Sequence, residues 1–85
     1  MSRRVEWAKR AVKEVVRLDK PTRSRIVAAV ETLATTHQGD VRRLQGREGE
    51  EFRLRVEDWR VIFSYQGDGS LLVLRVRPRG DAYKD

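Results

Sequence analysis

The chain has 85 residues, no cysteine, and 19 Lys and Arg against 13 Asp and Glu, for a net charge of +6. Its length predicts one domain over residues 1–85, and the lack of cysteine excludes disulfides and thiolate metal sites. We find no apolar run long enough to span a membrane and no apolar leader, so we expect a cytoplasmic protein.

The excess of positive charge predicts a polyanionic partner. The isoelectric point is near 10.5, and basic proteins of this kind attract nucleic acids or acidic proteins. The alternative is that the charge only keeps the surface soluble. The arginines recur inside patterned segments rather than in a separate tail, which favours a binding role.

The N-terminal residues predict a strand and then a helix. Arg3, Val5 and Trp7 alternate with Arg4 and Glu6, which is compatible with a short strand. From Ala8 to Leu18 the apolar residues recur at helical spacing, and the polar positions, including Glu14, are expected to face solvent.

A second helix is predicted to follow, so that the two form a helical hairpin. Pro21 suits the first turn of a helix, and the apolar pattern continues to about residue 37. His37 is the only histidine, and we expect it to cap the end of this helix rather than to serve in a catalytic triad. Residues 39–50 are rich in glycine and charge and predict a loop.

Three further strands are predicted, at residues 51–57, 59–66 and 70–77. Residues typical of hairpin turns separate them. The last strand is apolar on both faces, so it is expected to be the central or best-buried strand. The order β-α-α-β-β-β predicts an α+β domain, with the helical hairpin packed on one face of a small, mostly antiparallel sheet and the first strand at its edge.

Arginine alternates with apolar residues in these strands. If the apolar residues of strand 51–57 face the helices, Arg53 and Arg55 project from the opposite face, and Arg60 joins them if the turn keeps the register. Further candidates are Arg75, Arg77, Arg79, Tyr83 and Lys84. Arginine binds phosphate with two hydrogen bonds and stacks on bases, so the pattern indicates RNA or phosphate binding. The alternative is that these arginines are solvated ions paired with acidic neighbours.

Familiar catalytic and cofactor motifs are missing from the sequence. It contains no P-loop, no dinucleotide-binding glycine pattern and no zinc-protease motif. Potential metal ligands are not clustered. We therefore predict no metal and no cofactor.

Residues 44–85 resemble the C-terminal half of the RelE/ParE toxin superfamily. The matching pieces are an LxG loop, the strand "FRLRV", the strand "WRVIF" and a basic tail that contains a tyrosine. The N-terminal segment fits the strand and helical hairpin of that family, so the resemblance covers nearly the whole chain. It implies a RelE-like fold and a toxin of a bacterial type II toxin–antitoxin module.

The resemblance implies one of two activities. RelE-like members are metal-independent endoribonucleases that cleave mRNA in the ribosomal A site, whereas ParE-like members inhibit DNA gyrase without nuclease activity. The basic strand residues favour the ribonuclease. The implied partners are the ribosome, mRNA and an acidic antitoxin that is partly disordered when free and forms a hetero-oligomer with the toxin.

The resemblance also implies roles for individual residues. By position, the catalytic group comprises Arg55, Arg60, Arg79 and Tyr83. The RNA-binding group comprises Arg53, Arg55, Arg75, Arg77 and Lys84. In two places the chain departs from the family pattern: Arg53 and Arg55 replace lysines of the best-known members, and Pro78 occupies a position that is often histidine. Arginine does not deprotonate, so the general base stays open between a ribosomal group, water, Glu57, Asp58 and Asp81.

Overall fold

The computed structural model describes residues 2–44 and 50–78. Two helices pack on a five-stranded mixed sheet, which confirms the predicted α+β class. The elements are β1 (Val5–Trp7), α1 (Lys9–Val15), α2 (Lys20–Thr36), β2 (Asp40–Arg43), β3 (Phe52–Val56), β4 (Trp59–Tyr65) and β5 (Leu71–Pro78). The strand order is β1-β5-β4-β3-β2. As predicted, β1 lies at an edge; it runs parallel to β5, and the other pairings are antiparallel.

The strand β2 lies where the sequence predicted a loop. It pairs with β3 from Asp40, opposite Arg55, to Arg43, opposite Phe52. Val41 is its only apolar residue and is partly buried against the core. A four-residue strand with one apolar position gives no alternating pattern, because its backbone hydrogen bonds to β3, rather than its side chains, hold it in the sheet.

The central strand is β4, and the prediction that β5 is central was wrong. The middle of β4, from Arg60 to Phe63, is buried throughout. In β5, Leu72 and Leu74 are half-buried residues that extend its apolar character to the second face. The register shifts opposite Ile62 and Phe63, so Leu74 is an extra residue in β5. Apolar residues on both faces of β5 therefore reflect this bulge and partial burial rather than a central position.

Both ends of α2 have local causes. Asp19 caps α2 by accepting a hydrogen bond from the Thr22 N–H at 3.3 Å, with Pro21 in the first turn. At the other end, His37 has φ 62° and donates its backbone N–H to the Leu33 carbonyl at 2.9 Å. The predicted capping position of His37 is thus confirmed. In the described part of the chain, neither helix is long and apolar enough to cross a membrane.

The hydrophobic core lies between the helices and one face of the sheet. It comprises Ala11, Val15, Ile26, Val30, Leu33, Ala34, Leu54, Val61, Phe63, Leu71, Val73 and Val76. Phe63 is fully buried and stacks on Phe52 with ring centroids 5.5 Å apart. Ile62 is also buried but lies outside this cluster. Because adjacent strand residues point to opposite faces, Ile62 belongs to the face away from the helices.

Candidate functional site

Two rows of side chains cross the sheet on the face away from the helices. Across β2, β3, β4 and β5, the first row is Arg42, Arg53, Ile62 and Arg75, and the second is Asp40, Arg55, Arg60 and Arg77. The six arginines of these rows form what we call the arginine face. The predicted candidates of β3, β4 and β5 thus share one surface, and Arg42 joins them.

The turn between β3 and β4 keeps the two strands in register. Val56 pairs with Trp59, and Arg55 pairs with Arg60, which confirms that Arg60 joins the face of Arg55. Glu57 opens the two-residue turn with φ 55°, in the left-handed region. Such a conformation lets the chain reverse within two residues without shifting the pleat.

The Arg60 guanidinium is held by this turn. Its Nη1 donates hydrogen bonds to the carbonyl oxygens of Glu57 at 3.2 Å and Trp59 at 3.1 Å. Arg60 is only 4% exposed. A cation that is fixed by its own backbone loses little further freedom when an anion approaches, so Arg60 is a preorganised charge.

The middle of the arginine face is more buried than the sequence predicted. Arg53 is 4% exposed and lies 3.5 Å from Asp40 in an ion pair, whereas Arg55 is exposed. Ile62, which lies between Arg53 and Arg75 in register, is also 4% exposed. Arginine stems are apolar and cover their neighbours while the charged ends reach outward. The predicted side of the sheet was correct, but Arg53 and Arg60 are not solvated surface ions.

Glu14 of α1 contacts the arginine face at the margin of β5. Its carboxylate accepts hydrogen bonds from Arg75 Nε at 3.0 Å, Arg75 Nη2 at 2.8 Å and Arg77 Nη1 at 3.4 Å. It also accepts one from the Val76 N–H at 2.8 Å. The expectation that Glu14 faces solvent was wrong, since α1 runs beside β5 where β1 no longer covers it.

The electrostatics at Glu14 favour its ionised form. Burial of the carboxyl raises its pKa, but hydrogen bonds from Arg75 and the Val76 N–H, with the charges of Arg75 and Arg77, outweigh burial and hold the pKa below its ordinary value. In return, the hydrogen bonds that Arg75 donates to Glu14 raise the pKa of Arg75 further, against the opposing effect of burial. The pair therefore stays ionised at neutral pH.

The arrangement of the arginine face is unfavourable for stability alone. Arg55, Arg60 and Arg77 are direct neighbours across three strands, and like charges at opposed positions destabilise a sheet. Asp40 and Glu14 offset part of this charge. The remaining positive charge is suited to a polyanion such as the backbone of a nucleic acid.

Some predicted candidates lie outside the described residues, and two residues of the site were not predicted. Arg79, Tyr83 and Lys84 lie outside the described residues, as does Asp81. Sequence reasoning missed Arg42, whose strand carries no alternating pattern, and Glu14, whose position beside the buried Ala11 and Val15 was the available signal. Across residues 2–44 and 50–78, no group of three or more potential metal ligands is placed to hold an ion.

Comparisons with known proteins agree on one group of toxins. Residues 5–83 match a family model described as the ParE toxin of the type II toxin–antitoxin system, parDE. Among solved structures, a chain of the archaeal RelE–RelB complex from Pyrococcus horikoshii OT3 is 30% identical, with 95% of this chain and 99% of that chain covered and a TM-score of 0.78.

Two more distant structures share the fold. A chain of the RelB–RelE antitoxin–toxin complex from Methanococcus jannaschii is 23% identical, with 92% and 94% of the two chains covered and a TM-score of 0.73. The YoeB dimer from Staphylococcus aureus is 10% identical, with 91% and 97% covered and a TM-score of 0.72. No curated protein sequence matches this one.

Proposed function

Since the chain belongs to the ParE toxin family of type II toxin–antitoxin systems and its fold is RelE-like, we propose that this toxin cleaves mRNA in the ribosomal A site and so stops translation. The observation that carries the proposal is the arginine face, with its two cross-strand rows of arginine on a rigid sheet. Binding to a protein such as gyrase does not require a surface of this density of positive charge.

The chemistry we propose needs no metal. The ribose 2′-OH attacks the adjacent phosphorus, a pentacoordinate phosphorane forms, and the bond to the 5′ oxygen of the next nucleotide breaks. Arg55 is exposed and would contact the phosphate. Arg60, which is fixed by hydrogen bonds to the turn, would stabilise the negative charge that grows on the phosphate in the transition state. Arg53, Arg75 and Arg77 would hold the neighbouring backbone.

The tail residues complete the proposed site by resemblance. Arg79 would stabilise the leaving 5′ oxygen, which takes up a proton from water to become a 5′-hydroxyl. Tyr83 would stack on a base, with Lys84 on the RNA backbone. Arginine cannot act as a general base, so the proton of the 2′-OH goes to a ribosomal group, water or a carboxylate such as Asp58. Because the face does not by itself orient a flexible strand for in-line attack, cleavage is expected only on the ribosome.

The proposal includes an acidic antitoxin as partner. The Pyrococcus horikoshii and Methanococcus jannaschii structures are complexes of a RelE with a RelB. A chain with a net charge of +6 fits a partner of opposite charge that folds as it wraps the toxin. We expect a small acidic protein encoded beside this one to copurify at equal stoichiometry in moderate salt.

A second candidate function follows from the name of the matching family model. ParE-like toxins inhibit DNA gyrase, and the model that matches residues 5–83 is described as a ParE toxin. Under this alternative, toxin expression leaves mRNA intact and produces double-strand breaks in DNA, and purified toxin inhibits supercoiling by gyrase.

One experiment separates the two candidates. After brief induction, mRNA 5′ ends are mapped by sequencing, and gyrase supercoiling is measured with the same protein. We expect cuts in translated frames at A-site codons for the wild type and a loss on the order of 10²-fold for Arg55→Gln, as for removal of one hydrogen-bond donor to the reacting phosphate. Arg10→Gln, an exposed substitution on α1, is the matched control and should cut like the wild type.

Three other outcomes of this experiment would overturn the proposal or part of it. Intact mRNA with gyrase inhibition would replace the proposal by the alternative. Undiminished cleavage by Arg55→Gln would keep the activity but remove the arginine face as its site. Efficient cleavage of naked RNA would contradict the requirement for the ribosome.

A further inference from the structure

Glu14 is the acidic group that contacts the β5 side of the arginine face, and the proposed function gives it no role. The side chains of Glu14, Arg75 and Arg77 are 20%, 25% and 34% exposed, so this cluster is partly shielded from solvent. A surface that only needs to attract a polyanion gains nothing from a carboxylate at this place, since the carboxylate lowers the local positive charge.

The geometry at Glu14 is that of a clamp. Both carboxylate oxygens engage Arg75, one through Nε alone and the other through Nε and Nη2. The second oxygen also reaches Arg77 Nη1, and the first accepts the Val76 N–H. One side chain thus fixes two arginine side chains relative to the backbone of the strand that carries them.

The contact with the backbone of β5 explains how a residue of α1 can hold Arg75 and Arg77 in place. The strand β1 pairs with β5 only from Leu71 to Val73. Beyond that point the Val76 N–H donates its hydrogen bond to Glu14, which takes the place of a further strand. Glu14 is in turn held on α1 between the buried residues Ala11 and Val15, so its position is tied to the core.

We propose that Glu14 is a positioning residue that holds Arg75 and Arg77 in the arrangement needed for cleavage, at a cost in affinity for RNA. This inference rests on the proposed ribonuclease function. It predicts opposite changes in two quantities when the carboxylate is removed: binding of RNA strengthens, because a negative charge leaves the arginine face, and the cleavage step slows, because Arg75 and Arg77 lose their fixed positions.

The test uses Glu14→Gln, which keeps the shape of the side chain and an oxygen for the Val76 N–H. Affinity for a fluorescent single-stranded RNA oligonucleotide is expected to rise about 2- to 3-fold at low salt, the size of one unit charge acting through water over about 6–8 Å. On programmed ribosomes, kcat is expected to fall by about 10-fold or more, within the roughly 10²-fold that a misplacement of about 1 Å can cause. KM should not rise.

Two further variants give the test its controls. Glu31→Gln makes the same change of charge at an exposed position of α2 and should leave kcat unchanged. Arg75→Gln should reproduce most of the loss in kcat, and Glu14→Gln added to it should lower kcat by less than about 2-fold, since residues that act through one another are not additive. The Arg75→Gln result stands even if Glu14→Gln folds poorly.

Failure of the proposed ribonuclease function and failure of the positioning role of Glu14 give different results. If the wild type does not cleave mRNA on ribosomes, the proposed function fails, and the role of Glu14 falls with it. If the wild type cleaves and Glu14→Gln keeps the wild-type kcat, the positioning role alone is overturned. A parallel loss of RNA affinity and kcat would mean that Glu14 only supports the fold, and a gain in both would mean that it only competes with RNA for the arginines.

Discussion

The two faces of the sheet belong to the same strands, but they differ in how their side chains affect stability. On the helix side, Val61 and Phe63 are fully buried among apolar neighbours. On the other side, Arg60 is almost as buried, yet it lies between two further arginines in register. The first face is explained by removal of apolar surface from water. The second places like charges together, which opposes folding.

This difference separates residues that stabilise the fold from residues whose presence the fold does not explain. A buried arginine between arginines opposes folding, and under the proposed function we expect a ligand to account for its presence. The hydrophobic face supplies the free energy that allows the arginine face to exist. Substitutions on the two faces should therefore divide between loss of folding and loss of activity.

The largest expected effect compares two adjacent residues of β4. Phe63→Ala removes a fully buried ring that stacks on Phe52 and should lower the free energy of unfolding by about 3–5 kcal/mol. Ile62→Ala, on the arginine face, should cost about 2 kcal/mol, because flexible arginine stems can move into the space. Urea unfolding of both variants checks this. Equal losses would mean that the arginine face is packed as rigidly as the core.

An intermediate effect is expected from Glu14 as pH falls. The pKa of Glu14 is held below its ordinary value of 4.5, so the ionised carboxylate stabilises the folded state fully above that pH and loses this contribution as pH falls through the lower, folded-state pKa. At pH 7, Glu14→Gln should reduce the free energy of unfolding by about 1–2 kcal/mol. The difference from the wild type should shrink below pH 4.5.

Denaturant curves measured from pH 7 to pH 3 test the sign of this dependence. Glu31→Gln serves as the control, since its side chain is exposed on α2. A Glu14→Gln difference that stays constant to the lowest pH would contradict the ionic basis of the contact.

The smallest expected effect concerns the turn that positions Arg60. Glu57 adopts φ 55°, a conformation that costs an ordinary residue about 1–2 kcal/mol but glycine very little. Glu57→Gly also loses an exposed ion pair with Arg25 at 3.3 Å, worth at most about 1 kcal/mol. We expect a net gain in stability of up to about 0.5 kcal/mol. Asp58→Gly changes the neighbouring residue, which does not have a positive φ, and should instead destabilise the chain. Thermal unfolding of the two variants measures this difference in sign.

Much of this fold could be predicted because its elements carry periodic patterns or turn residues. The α2 helix has a capping residue, a proline in its first turn and a regular apolar stripe, and the β3–β4 hairpin alternates cleanly on both sides of a two-residue turn. Strand β2 could not be predicted, since its place depends on backbone pairing with β3. The central position of β4 depends on long-range pairing, which composition does not encode.

The site was predicted in part for the same reason. Alternation on β3 and β4 predicted that Arg55 and Arg60 share a face, because parity is a local property. The burial of Arg53 and Arg60 depends on neighbouring strands and on the turn carbonyls. The contact between Glu14 and Arg75 joins residues 61 positions apart in the chain, and no local pattern predicts it. The functional roles of these residues remain predictions.

The outer strands of the sheet have a consequence for the toxin when it is free of its antitoxin. At one side β1 has three residues, and at the other β2 has four, of which Asp40, Arg42 and Arg43 are charged. Short, charged outer strands are poor templates for pairing with another chain. Free toxin molecules should therefore resist edge-to-edge self-association and stay dispersed in solution.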